Sequence, residues 1–186
     1  MFIQWIAKIF VAFNSNTKPG QISLGVAFGL LLALIPTILP ATPPVNLLWV
    51  LLLLITFFLK INQAIELTFL ALFRIITPFT APAVSALGEF ILKQPALQDF
   101  FTALYNLPGV SFSMFHHTRA TGGLVIGIAL FVPTVILFNF LVRLYRDKIR
   151  EKIANSKIFK AFMKLPIIKQ VGGALSKAVS FYQGIK

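Results

Sequence analysis

Residues 124–142, LVIGIALFVPTVILFNFLV, carry no charged side chain and pass directly into RLYRDKIREK. As an α-helix this stretch is roughly 28 Å long at about 1.5 Å per residue, close to the ~30 Å hydrocarbon core of a bilayer. A chain holding such a run must either bury it in a large core or expose it to lipid. With 186 residues, 58% of them hydrophobic and 12% charged, there is too little polar surface to enclose it. The expectation is an all-α integral membrane protein.

Three further apolar segments precede this one. Residues 22–39 are roughly 27 Å long as a helix and 45–59 roughly 22 Å. The second ends at Lys60-Ile61-Asn62, whose charge reaches the interface by snorkelling. The two predict a helical hairpin over 21–59, with Pro40, Pro43 and Pro44 at the outer bend and Pro36 a turn inside. Residues 63–92 are apolar in bulk but contain Glu66, Arg74 and Glu89 and are interrupted at Pro78 and Pro82. Proline removes a helix donor and clashes with the preceding turn, so two half-length helices, broken or re-entrant, fit better than one. A more polar connection over 93–120 holds Asp99, Pro108-Gly109 and His116-His117, and the last span, 121–142, is interrupted by Pro133. The expected membrane domain, 16–142, has about four short or proline-broken transmembrane or re-entrant helices.

Both ends read as interfacial. In FIQWIAKIFVAF, residues 2–13, Phe2, Trp5, Ile6, Ile9, Phe10 and Phe13 fall at helical spacing with Gln4 and Lys8 opposite, which predicts an amphipathic helix over 1–15. No basic region precedes that run and no small-x-small site follows it, so a cleaved signal peptide is not expected. The formal net charge is +12, and eleven of the 17 Lys and Arg residues lie from Arg143 onward. The tail over 143–186 reads as basic and amphipathic, suited to anionic phospholipid headgroups. Nucleic acid is not expected, because the aromatic residues sit within apolar runs rather than among exposed arginines.

Basic residues flank the cytoplasmic ends of membrane spans, which places the tail inside. Lys8, Lys18 and Lys60 place the amino terminus inside as well, so 63–92 crosses once. The alternative, a re-entrant loop, requires the amino terminus outside. The expected topology is multi-pass, with both termini on the cytoplasmic side.

Chemistry-bearing constellations are scarce. The chain has no Cys and five acids, and shows no HExxH, Walker loop, GxSxG elbow or carboxylate pair. Neither an enzyme nor a cofactor is expected. Adjacent His116 and His117 do not share a helix face and lack further ligands at metal spacing. Two apolar stretches share a pattern, however: Gly25 to Pro36-Thr37 and Gly122 to Pro133-Thr134 have the same spacing. Corresponding interruptions of this kind mark the midplane sites of transporters built from inverted repeats. Arg74 is costly in a bilayer unless it faces protein, water or a headgroup. Glu89, beyond the Pro78 and Pro82 bend, is the expected partner folding back toward it. Gly25, Ala27 and Gly29 offer a small-residue face for helix contact.

The order Pro19, Ile22, Gly25-Val26-Ala27-Phe28-Gly29, Pro36, Asn46, Lys60-Ile61-Asn62 and Thr77-Pro78 resembles the uncharacterised bacterial membrane family DUF2062, over roughly residues 16–92. It is similar in particular to a small subfamily of outer-membraned bacteria in which the gene is paired with that of a larger envelope protein. The family pattern tends to have Asn where Thr77 stands here. The resemblance implies a partner and no reaction. The function expected is therefore a non-enzymatic inner-membrane subunit that anchors or supplies a larger cell-envelope partner, in lipid transport. The alternative is a small transporter or lipid flippase built on the broken helices. A homo-oligomer is the other expected assembly, because four short spans leave little interior for a pathway. The residues expected to contact lipid, a translocated ligand or a partner are Gly25, Gly29, Pro36, Thr37, Arg74, Glu89, Pro133 and Thr134.

Overall fold

The computed structural model describes residues 17–38 and 45–149. The predicted helix over 1–15, the bend prolines Pro40, Pro43 and Pro44, and the tail from 150 onward lie outside the described residues. Five α-helices are present among the described residues: α1 (Pro19–Leu34), α2 (Leu47–Phe58), α3 (Gln63–Leu92), α4 (Gln98–Tyr105) and α5 (Thr118–Leu144). Short 3-10 turns at Pro95–Leu97 and Val110–Ser113 flank α4, and a π turn, Tyr145–Ile149, follows α5. No strand occurs among these residues, as expected for an all-α chain.

α1 starts with Pro19 at its first turn, where a missing N–H costs nothing and the fixed φ suits a helix. It is apolar all round, as a central helix must be, with Ile22, Val26, Ala27 and Leu31–Leu34 buried. Ile35 is extended, so the helix stops there. The cause is Pro36, which disfavours the helical conformation of the residue before it. Pro36 is thus the stop signal of α1 rather than a break inside it, and Ile35 and Pro36 are themselves buried.

Two asparagines hold the connections on either side of α2. Asn46 is 0% exposed. Its Oδ1 accepts from the Trp49 N–H at 3.3 Å, capping α2, and its Nδ2 donates to the Pro36 carbonyl at 3.1 Å. Its backbone N–H donates to Thr37 O at 2.8 Å, closing the bend. Trp49 Nε1 adds a bond to Leu32 O at 2.8 Å, which lays α2 back along α1. At the other end of this hairpin Asn62 caps α3, accepting from the Ile65 N–H at 3.1 Å, while its own N–H donates to Gln21 O at 3.1 Å. α1 and α2 are therefore tied together at both ends of α2, and both are shorter than the apolar stretches 22–39 and 45–59. Asn46→Ala removes the cap and the Pro36 tether, both made by one side chain, and is expected to lower stability by about 1–2 kcal/mol. A thermal melt of purified protein checks this, with Asn46→Asp keeping the cap but not the Pro36 bond.

The largest departure from expectation is α3. Residues 63–92 form one unbroken helix with Pro78 and Pro82 inside it, not two half-length helices and not a loop that dips and returns. Pro78 lacks the N–H that would have bonded the Arg74 carbonyl, four residues back, and the Thr77 hydroxyl donates to that same carbonyl at 3.0 Å. The freed acceptor is satisfied locally, so the helix continues. Its length is roughly 45 Å. Pro133 likewise lies inside a continuous α5, exposed on its surface.

Packing directions follow from the contacts. A Cβ on Gly25 would lie 2.8 Å from Asn62 O, and one on Gly29 2.8 Å from Glu66 O. Arg74 reaches Leu32 and Ile35. The residue numbers rise together, so α1 and α3 are parallel. α5 opposes both: Phe138 meets Phe69 at 5.4 Å, Phe131 meets Phe28 at 4.9 Å, and Gly122 abuts Val84 and Gly88. The core is Ile22, Val26, Ile65 and Val142, joined by Phe69, Phe73 and Phe138. Lys18, Lys60, Arg143 and Arg146 consequently share one end of the bundle, where Arg146 also donates to Thr17 O at 2.8 Å. The connection predicted over 93–120 contains α4 and an aromatic cluster of Phe101, Tyr105 and Phe115.

Candidate functional site

Where α1 ends, its last carbonyls have no intrahelical partners, and a helix end inside a bundle needs donors. Arg74, half-buried on α3, supplies them: Nη2 donates to Ile35 O at 2.9 Å and Leu32 O at 3.2 Å. A cation at a helix carboxyl end is also favoured by the helix dipole. α5 brings a second guanidinium to this end. A Cβ on Gly123 would lie 2.3 Å from Leu34 O, so that face of α5 abuts the α1 terminus. Arg119, one turn earlier on the same face, lies within electrostatic reach of Arg74. It is half-buried, and no salt bridge joins either arginine to a carboxylate among the described residues.

Arg74 does not pair with Glu89. Fifteen residues of unbroken helix separate them by roughly 22 Å. Glu89 is exposed and pairs instead with Lys93, Nζ to Oε1 at 2.5 Å. The fold-back expected of it required a bend at Pro78 and Pro82 that Thr77 helps to prevent.

The two Gly-to-Pro-Thr stretches are alike only in part. Gly25 and Gly122 both lie against α3, at its first turns and near Gly88 respectively. Pro36 is buried and ends its helix, whereas Pro133 is exposed within one, beside buried Thr134. Two equivalent broken helices are therefore absent from the described residues. Gly25 and Gly29 are covered by α3 and are not free to meet a partner, and Gly123 and Gly127 are likewise covered by α1.

Several residues of this site gave little signal in sequence. Arg119 was legible only as a cation four residues before Gly123. Trp49 was hidden in an apolar run, and Asn46 figured only among the residues that carry the family resemblance. Glu66 stood out only as one of three charges in the apolar stretch 63–92. His116 and His117 have rings 4.4 Å apart beside Tyr105, and burial with the neighbouring His117 holds the His116 imidazole below its ordinary value. No group of three metal-ligating side chains occurs among the described residues.

An all-α bundle with two helices, α3 and α5, long and apolar enough to cross a bilayer, and with guanidinium groups at an interior helix terminus, is the class this architecture defines. The chain belongs to the family described as uncharacterized protein conserved in bacteria (DUF2062), whose model matches residues 4–151. The match reaches well beyond the stretch that carries the resemblance. A curated "Uncharacterized protein" of Treponema pallidum (strain Nichols) is 32% identical over 168 residues, covering 90% of this chain and 99% of that one. No solved structure matches.

Proposed function

We propose that this chain is a multi-pass protein of the bacterial cytoplasmic membrane, its basic end inside, serving as the non-enzymatic membrane subunit of a larger envelope partner in lipid handling. The orientation is supported by Lys18, Lys60, Arg143 and Arg146 gathering at one end of the bundle. Apolar side chains such as Phe79, Phe90, Ile128, Val132 and Phe140 point outward between the charged ends. They are suited to lipid or to an apolar partner surface.

The observation that carries the lipid part is the Arg74 and Arg119 pair. Arg74 lies about 16 Å along α3 from Gln63, near the middle of a ~30 Å core. Arg119 comes within electrostatic reach of Arg74 from α5, and two such guanidinium groups without a carboxylate suit a phosphate-bearing headgroup, which accepts their planar donors in pairs. The subunit part rests on α2, whose Leu51, Leu54, Ile55, Phe57 and Phe58 are exposed on a helix of 12 residues. At roughly 18 Å it is too short to span alone.

The test is purification of the tagged full chain from native membranes in gentle detergent, with mass spectrometry of retained proteins and lipids. A stoichiometric envelope protein and bound phospholipid are expected, with less phospholipid on Arg119→Gln at unchanged stability. A lone chain without lipid overturns the reading. The second reading, a small transporter or flippase, is favoured by one observation, the ending of α1 part-way along α3. Flux in vesicles that survives Arg74→Ala removes that residue from any such pathway.

A further inference from the structure

Glu66 lies near the start of α3 and is 0% exposed. Both of its carboxylate oxygens are buried without a hydrogen-bond partner. One turn earlier on the same helix face, Gln63 donates Nε2 to the Thr56 carbonyl at 2.5 Å, and its Oε1 is also buried without a partner. The Thr56 side chain, 0% exposed at the end of α2, stands beside the Glu66 carboxyl and donates its own proton to Leu53 O at 2.7 Å. Its hydroxyl also lies within hydrogen-bond reach of the Glu66 carboxyl, so a single proton stands before two acceptors and the hydroxyl oxygen keeps a lone pair free. Three buried acceptor oxygens gather around Thr56, whose single hydroxyl proton, also taken by Leu53 O, cannot serve them all.

Among the described residues no positive charge is paired with this carboxyl. α1 presents Gly25 and Gly29 to this turn of α3, and the neighbouring stretch of α5 presents Phe138 and Val142. Lys60 follows α2, Lys18 precedes α1 and Arg143 follows Val142, yet no salt bridge to Glu66 exists among the described residues. An isolated carboxylate in an apolar interior is expensive and persists only when paired or neutralised. Orphaned buried acceptors in a folded protein call for a missing proton, water or ion.

We propose that Glu66, Gln63 and Thr56 form a buried site for a single monovalent cation, a proton or a sodium ion. The Glu66 carboxylate supplies the charge, and Gln63 Oε1 and Thr56 Oγ1 supply neutral oxygens. The hard oxygen set suits such a cation and no soft metal. The inference goes beyond the membrane-subunit reading and holds with or without an envelope partner.

The probe is dicyclohexylcarbodiimide, an apolar reagent that modifies protonated carboxyls, applied to the full chain in native membranes and read by peptide mass. Labelling of Glu66 that slows as pH rises, and that sodium in place of choline does not affect, identifies the proton. Labelling slowed about tenfold by sodium at roughly ten times its half-saturating concentration identifies the sodium ion, by mass action. In that case Thr56→Val, which removes a ligand and keeps the volume, labels normally and loses the protection. Glu66→Gln, isosteric and neutral, is expected to fold and to remain unlabelled at this peptide. Absence of Glu66 labelling in the wild type across acidic and neutral pH, with or without sodium, overturns the site.

Discussion

Gly122→Ala is expected to be recovered as aggregated or readily unfolded protein, because the added methyl has nowhere to go. A Cβ at this position would lie 1.9 Å from Val84 O, and the reciprocal position, Gly88, would place one 1.8 Å from Thr118 O. Both obstacles are backbone, which cannot rotate aside as a side chain does. Overpacking costs about 1–3 kcal/mol where side chains absorb the strain, and here α3 and α5 must separate, so the upper end or beyond is expected. Gly20→Ala is the matched control. Nothing lies within 4 Å of its added Cβ, and it should be neutral or stabilising by up to about 1 kcal/mol. Melting curves and size-exclusion profiles of the two proteins decide the matter. Equal stability would mean that α3 and α5 do not meet at these glycines.

Arg74→Leu is expected to lower stability by about 2–3 kcal/mol, the loss of charge-assisted bonds with an acceptor left stranded. The loss is uneven. Leu32 O keeps its bond from Trp49, whereas Ile35 O loses the Arg74 donor that serves it at 2.9 Å. Trp49 sits on the same helix end, so its fluorescence should shift as α1 frays. Arg74→Lys, which retains a charge but not the planar fork, should fall between the two. A wild-type melting temperature for Arg74→Leu would show that the α1 terminus is satisfied without a guanidinium.

The apolar helices and their order were legible because runs such as 124–142 admit few other structures. The continuity of α3 was not. Pro78 and Pro82 read as breaks by their own chemistry, and only the pairing of Thr77 with the carbonyl that Pro78 frees reverses that reading. Arg74 stood out as costly, but its partner is backbone, and carbonyls are invisible in a list of side chains. Glu89 was the natural candidate by charge and is removed by distance along a straight helix. Gly25 and Gly29 were recognisable as a close-packing face, while which helix they meet depends on α3 returning to the start of α1. The same return buries Glu66, so the site around Thr56 exists only through tertiary contact.

The ending of α1 at Leu34 also changes how many of the described helices stand side by side. Beside the first half of α3 the described helices stand four abreast, α1, α2, α3 and α5. Beyond Arg74, α3 and α5 continue against each other through Gly88 and Gly122. Because backbone meets backbone at these glycines, the outer halves of α3 and α5 can shift only together, as one stiff pair.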